Sequence, residues 1–220
     1  MGNFIAFFVM EVTLHILHYI CIILIPFIKL NKVKKGDEGN IVLLHGWMAG
    51  SISLFILKIR LEKLDYIVYT PDFSYSSEKI EKLAGKLDKY VKTNKLKNFT
   101  LIGHSMGGLI GLYYYQNYKN NISKLISLGC PFHGTDIARI AFFSESAKQI
   151  IPGSKFIRDI NKTKKYDRVY VIESDHDHIT SAKSGHLGGA HNIKLKWVGH
   201  MSMIVSNEVF REIKKILWLN

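Results

Sequence analysis

Cysteine is nearly absent from this chain of 220 residues, which has only Cys21 and Cys130. One lies in a hydrophobic segment and the other follows an expected strand, so they suggest neither a disulfide framework nor a metal-ligand cluster. Acidic residues are also scarce, 18 Asp and Glu against 30 Lys and Arg, which leaves a formal charge of +12. A charge of that size favours anionic surfaces, either phospholipid head groups or nucleic acid. Nucleic acid is the weaker partner, because the lysines are scattered and no basic run interleaved with aromatics occurs. No internal repeat or low-complexity tract is present. With 47% hydrophobic residues, the chain is expected to form one folded domain with a well-buried core.

What is present begins with an apolar segment. From Phe4 to Leu30 it is long enough to span a bilayer, which takes about 20 such residues. Glu11, His15 and His18 interrupt it on one helical face, and Tyr19 to Ile28 is its purest part. Its positive charges, Lys29, Lys32, Lys34 and Lys35, follow the apolar run, which argues against a cleaved signal peptide. Residues 1–31 are therefore read as a hydrophobic membrane-anchor helix, single-pass or lying in the head groups. The lysine flank orients the following domain to the cytoplasmic side. Residues 32–40, charged and glycine-punctuated, read as a linker, and 41–220 as the folded domain.

In that domain, short β-rich runs alternate with stretches of helical periodicity, the pattern of a parallel sheet with crossover helices. The expected strands are Ile41–His45, Tyr66–Thr70, Phe99–Gly103, Lys124–Leu128, Arg168–Glu173 and Ile193–Val198. Their continuous apolar character fits strands buried on both faces. Helices are expected over Ser51–Leu64, Ser77–Thr93, Met106–Tyr118 and Asn207–Leu217.

The central motif is Gly103-His104-Ser105-Met106-Gly107, set between an apolar strand and a helix. A nucleophile on a strand-to-helix turn occupies a strained backbone conformation, and glycines two residues to either side avoid a clash of Cβ atoms. Ser105 is the candidate nucleophile, with Gly103 and Gly107 as supporting turn glycines. Acyl transfer also needs backbone donors for an oxyanion. Met106, next to the nucleophile, supplies one, and Trp47, in the loop His45-Gly46-Trp47 after the first strand, supplies the other, with Gly46 allowing close approach.

An acid is needed after a later strand, and Glu173, Asp175 and Asp177 are available. Asp177 is preferred because it opens an Asp-His-Ile-Thr stretch that can turn away from the strand end. The candidate base is His200, in Val198-Gly199-His200 ahead of the closing helix, so the order is Ser, Asp, His. His176, His178, His186 and His191 are rivals in a polar loop, and their irregular spacing is not that of metal ligands. Neither a metal nor another cofactor is required by this chemistry.

With these residues in place, Ile41 to Leu217 resembles the lipase and esterase branch of the α/β-hydrolases, particularly small bacterial triacylglycerol lipases. The resemblance is carried by Leu-Leu-His-Gly-Trp (43–47), Gly-His-Ser-Met-Gly-Gly (103–108), Leu-Gly-Cys-Pro-Phe-His-Gly-Thr (128–135), Asp-His-Ile-Thr (177–180) and Val-Gly-His (198–200). It implies an α/β-hydrolase fold with a minimal, mostly parallel sheet of about six strands, helices on both faces and the extra N-terminal helix. It also implies a lipid-like acyl-ester substrate. Thioesterases, amidases and acyltransferases share the same acyl-enzyme, and a non-catalytic membrane protein on this scaffold is the alternative from another class. Pro152-Gly153-Ser154 resembles a segment that precedes the acid-bearing strand in those lipases. Ile137, Ile140, Phe142 and Phe143 read either as ordinary helix packing or as a small amphipathic flap over the site.

Overall fold

The computed structural model describes residues 7–14, 16, 20, 35–73, 77–118, 122–162 and 165–219. Six strands form one sheet: β1 (Asn40–Leu44), β2 (Ile67–Tyr69), β3 (Phe99–His104), β4 (Ile122–Leu128), β5 (Val169–Ser174) and β6 (His191–Leu195). Their spatial order is β2-β1-β3-β4-β5-β6, and every neighbouring pair is parallel. The helices are α1 (7–14), α2 (Phe55–Glu62), α3 (Ile80–Thr93), α4 (Met106–Asn117), α5 (Glu145–Ile150), α6 (Lys155–Ile160), α7 (Ala182–Gly185) and α8 (Asn207–Leu217). This is the α/β-hydrolase architecture.

Strand side chains alternate between two cores, as the pleat requires. Val42, Leu44 and Leu101 point to a core shared with Leu83 and Leu87 of α3 and Leu109 of α4. Ile41, Leu43 and Ile102 point to the other, filled by Leu57 and Leu61 of α2 and Val209, Ile213 and Ile216 of α8. Both faces of the sheet are covered, which accounts for the near-continuous apolar runs. Burial of α8 at Val209, Ile213 and Ile216 follows helical spacing, and its start is capped by Ser206, whose hydroxyl accepts the amides of Glu208 and Val209.

Several ends differ from expectation. His45 lies beyond β1 rather than in it, and β6 begins two residues earlier and stops at Leu195. The segment after β6 leaves the sheet through Trp197, at φ 57°, and carries His200 back toward the end of β3. The expected helix at Ser51 opens with a 3-10 turn, Ser51–Leu54, before α2. Toward the start of the domain, Glu38 donates its amide to the Asp65 carbonyl and Ile67 to Gly39, so this part of the expected linker is held against the β2 edge.

Among the described residues no helix is long and apolar enough to cross a membrane. Most of the expected anchor, including Tyr19 and 21–31, lies outside the described residues, as do Lys32 and Lys34.

Candidate active site

Ser105 is the single residue between β3 and α4, with φ 53° and ψ −123°. For a residue bearing a Cβ this conformation costs about 1–3 kcal/mol. The turn is enforced on both sides: the Ser105 amide donates to the Leu128 carbonyl at 2.9 Å, and Gly108 donates to the Ser105 carbonyl at 2.9 Å. A methyl group on Gly103 would lie 2.5 Å from the Gly107 carbonyl, and one on Gly107 would lie 2.8 Å from that of His45. Neither position has room for a side chain. Gly46 is less constrained, its Cβ position lying 3.2 Å from the Ser105 Cβ.

The loop after β1 faces this turn. Neither the Trp47 nor the Met106 amide has an acceptor among the described residues. Met106 occupies the first turn of α4, where no intrahelical acceptor exists. The Trp47 indole donates to Ser144 Oγ at 3.1 Å and lies beside the Phe143 ring. His45 braces the loop. Its Nε2 accepts the Phe73 amide at 2.9 Å, so its proton sits on Nδ1, which donates to the Gly46 carbonyl at 2.9 Å. Asp72 extends the brace by accepting the Ser51 hydroxyl at 2.9 Å. Sequence reasoning missed this role of His45 and Asp72, because Phe73 lies 28 residues from His45 and Ser51 lies 21 residues from Asp72 along the chain.

His200 Nδ1 donates to Asp177 Oδ2 at 2.8 Å, with both side chains buried. Asp177 Oδ1 accepts the amides of Ile179 at 2.9 Å and Thr180 at 2.7 Å, which fixes the carboxylate. With Nδ1 donating, the imidazole offers Nε2 as its acceptor. The rival carboxylates are engaged elsewhere: Asp175 pairs with Lys194 at 2.5 Å and Glu173 with His186 at 3.7 Å. Burial raises the Glu173 carboxyl above the ordinary carboxylate range.

Further supports converge from distant segments. His104 Nε2 donates to the His200 carbonyl at 3.0 Å. Gly129, at φ 55°, leaves room for the acid, since a methyl there would lie 2.9 Å from Asp177 Oδ2. Thr180 Oγ1 donates to the Gly129 carbonyl at 3.1 Å, and Thr135 Oγ1 to that of Ile179 at 2.6 Å. The segment 128–135 therefore buttresses the loop that carries Asp177. Cys130 within it is fully buried, and burial pushes its thiol well above the usual range, which suits a packing role.

Ser105 and His200 line one cavity of about 350 Å³, together with Trp47 and Met106. Ala49, Ile137, Ala138, Ile150 and Ile179 make its remaining wall largely apolar. The Ser105 hydroxyl makes no hydrogen bond among the described residues. Ile140, Phe142 and Phe143, of which Phe143 lies beside the Trp47 ring, are 78%, 73% and 64% exposed, so they are not packed as ordinary helix-core residues. A larger groove of about 640 Å³, lined by Lys79, Glu81, Lys148 and Asp159 among others, contains none of these residues. Among the described residues no group of three His, Cys, Asp or Glu side chains is placed to hold a metal ion.

A family model described as the alpha/beta hydrolase fold matches residues 39–147. Among solved structures, the chain is similar to the mature form of the Bacillus licheniformis lipase BlEst2, with a TM-score of 0.70 and 18% identity over 86% of this chain and 96% of that one. A lipase-esterase related protein from Clostridium acetobutylicum gives 0.61 and 18%, over 84% and 99%. Phospholipase PlaB from Legionella pneumophila gives 0.64 and 14%, over 81% and 59%. At such identities the likeness is one of fold. The matched family span ends at Ala147, before the segments that hold Asp177 and His200.

Proposed function

We propose, from the premise that this chain is an α/β-hydrolase, that it is a serine hydrolase cleaving carboxylic esters, of lipase or esterase type. The observation that carries this reading is the buried His200–Asp177 hydrogen bond of 2.8 Å beside a cavity that Ser105 also lines. In the proposed reaction His200 Nε2 takes the Ser105 proton as Oγ attacks the ester carbonyl. The amides of Trp47 and Met106 receive the oxyanion, each donor of this kind being worth about 2.7–4 kcal/mol. Collapse expels the alcohol, which takes the proton from His200, and leaves Ser105 acylated. Water then attacks, His200 accepts its proton, and the carboxylic acid departs as the proton returns to Ser105. Asp177 stays ionised and holds the imidazole tautomer throughout.

A lipid-like acyl chain fits the apolar wall, and the similar proteins include one named a lipase and one named a phospholipase. We further infer that residues 1–31 hold the enzyme at a membrane. Glu11 is buried against the catalytic domain, which removes residues 7–14 from any span. The purest apolar part left, from Tyr19 to Ile28, is shorter than the roughly 20 residues a bilayer crossing needs. This favours a segment lying in the head groups rather than a crossing one.

The test is a panel of p-nitrophenyl esters of increasing acyl length, assayed with wild type and Ser105→Ala. Hydrolysis that disappears in the variant is the expected result. Activity unchanged by the substitution would remove Ser105 as nucleophile.

A further inference from the structure

Glu11 is 4% exposed, although it belongs to the N-terminal segment and lies 190 residues from the partners it binds. Its carboxylate accepts the Met201 amide at 3.3 Å, the Ser202 amide at 3.0 Å and the Ser202 hydroxyl. These groups follow His200 directly and open the 3-10 turn Ser202–Ile204. Gly199, on the other side of His200, lies outside the left-handed region, and a methyl group there would overlap the Glu11 carboxylate. The glycine is therefore accounted for by the space Glu11 occupies. One turn earlier on α1, Phe7 sets its ring edge-on to His176 at 5.8 Å and to Trp197 at 5.9 Å. Those two rings stack at 3.8 Å, and His176 Nδ1 accepts the Trp197 amide. His176 precedes Asp177, and Trp197 begins the turn that ends in His200. A single helix thus touches both loops that carry the acid and the base.

We infer that Glu11 is a positioning residue for the reaction, acting through the 199–202 turn to hold the His200 ring between Asp177 and Ser105. This rests on the serine-hydrolase reading above and adds to it that the N-terminal helix is a working part of the active site as well as a tether. Buried amides at a chain reversal need an acceptor, and an ionised carboxylate makes the stronger, shorter bonds. Without it the turn relaxes and the ring loses its aim. A displacement of about 1 Å at a catalytic group can cost on the order of 100-fold in rate.

The experiment uses the full-length chain and p-nitrophenyl butyrate, with active sites titrated by a fluorophosphonate so that kcat is expressed per reactive serine. Glu11→Ala is expected to lower kcat by roughly 10- to 100-fold with KM changed by less than about twofold. Glu11→Gln, which keeps one acceptor oxygen and the side-chain volume, falls between it and wild type. Gly199→Ala lowers kcat in the wild-type background and costs less than about twofold in the Glu11→Ala background, where the methyl has room. Phe8→Ala, on the exposed face of α1, leaves the rate unchanged. The proposal is overturned if kcat per titrated site in Glu11→Ala stays within about twofold of wild type, or if Gly199→Ala costs the same in both backgrounds. Should Glu11→Ala lose its cooperative melt, Glu11→Gln and Gly199→Ala alone decide by the same measure. These failures leave Ser105→Ala inactive, whereas a wild-type chain that neither hydrolyses the ester nor takes up the fluorophosphonate overturns the hydrolase reading itself.

Discussion

Ser105 illustrates how a single residue's conformation can be legible in sequence. Its positive φ is made tolerable by glycines two positions away, and both causes lie within five residues. The acid is a different case, because Glu173, Asp175 and Asp177 sit within five residues of one another and only side-chain direction separates them. Asp177 bonds to His200, while Lys194 and His186 draw the other two aside. Replacing Asp177 by Asn keeps the volume but presents an amide to a ring nitrogen that must donate. The expected outcome is a fall in kcat of up to roughly 10⁴-fold, measured on the same ester panel. Near-wild-type rates would pass the acid role to a neighbouring carboxylate.

Strands β1 to β5 and helices α3 and α8 were legible from apolar period, because burial on one stripe or on both faces writes itself into the spacing; α4, buried without a break from Met106 to Leu112, has no such stripe and was legible from the strand-turn motif ahead of it. Helices α5, α6 and α7 were not, being only one turn or so long. Each nevertheless carries a signal, a serine whose hydroxyl accepts the amide three residues on: Ser144 from Ala147, Ser154 from Ile157 and Ser181 from Ser184. Pro152-Gly153-Ser154 marks the turn between α5 and α6, with Gly153 at φ 73°. The N-cap residue of α3, Lys79, makes no side-chain cap, the Ile80 amide donating instead to Gln149 Oε1 at 2.7 Å, and Glu78, just ahead of it, pairs with Lys82 at 2.5 Å and with Lys86. Hydrogen bonds to those two ammonium groups hold its carboxyl at about 2 rather than 4.5. A depressed folded-state value contributes stability above the unfolded value that is lost as pH falls through the folded one. The pair is largely solvated and worth less than about 1 kcal/mol. Glu78→Gln is therefore expected to lower Tm by about 1–3 °C at pH 7 and low salt. The difference should shrink as pH falls below about 4.5 and vanish only below about pH 2, and it should vanish at about 1 M salt, where the Debye length is roughly 3 Å. A Tm difference that persists in either condition would mean that Glu78 acts by something other than charge.

At the scale of the whole molecule, the chain carries a net charge of +12, and Phe8, Val9 and Val12 are exposed apolar side chains of α1. If the N-terminal segment lies in anionic head groups, the full-length chain should float with vesicles of phosphatidylcholine and phosphatidylglycerol. It should float less with phosphatidylcholine alone, and added salt should narrow the gap. A chain that stays at the bottom of the gradient with both vesicle types would remove the membrane part of the proposed function. The same segment is read as both tether and brace, which ties location to activity through one helix.

The sheet and the candidate nucleophile were determined by the sequence alone, since apolar period, turn glycines and the order of Ser, acid and His are local or ordinal properties. How His45 braces the loop after β1 and what Glu11 does were decided only by the tertiary structure, whereas the carboxylate it brings to His200 is the Asp177 that the Asp-His-Ile-Thr stretch had favoured. Read along the chain, Glu11 is a polar flaw in an apolar run; folded, it fills the space left by Gly199 and satisfies amides beside His200. The physical reason is that a hydrogen bond is specified by direction and distance, and across 190 residues of chain neither is encoded in spacing.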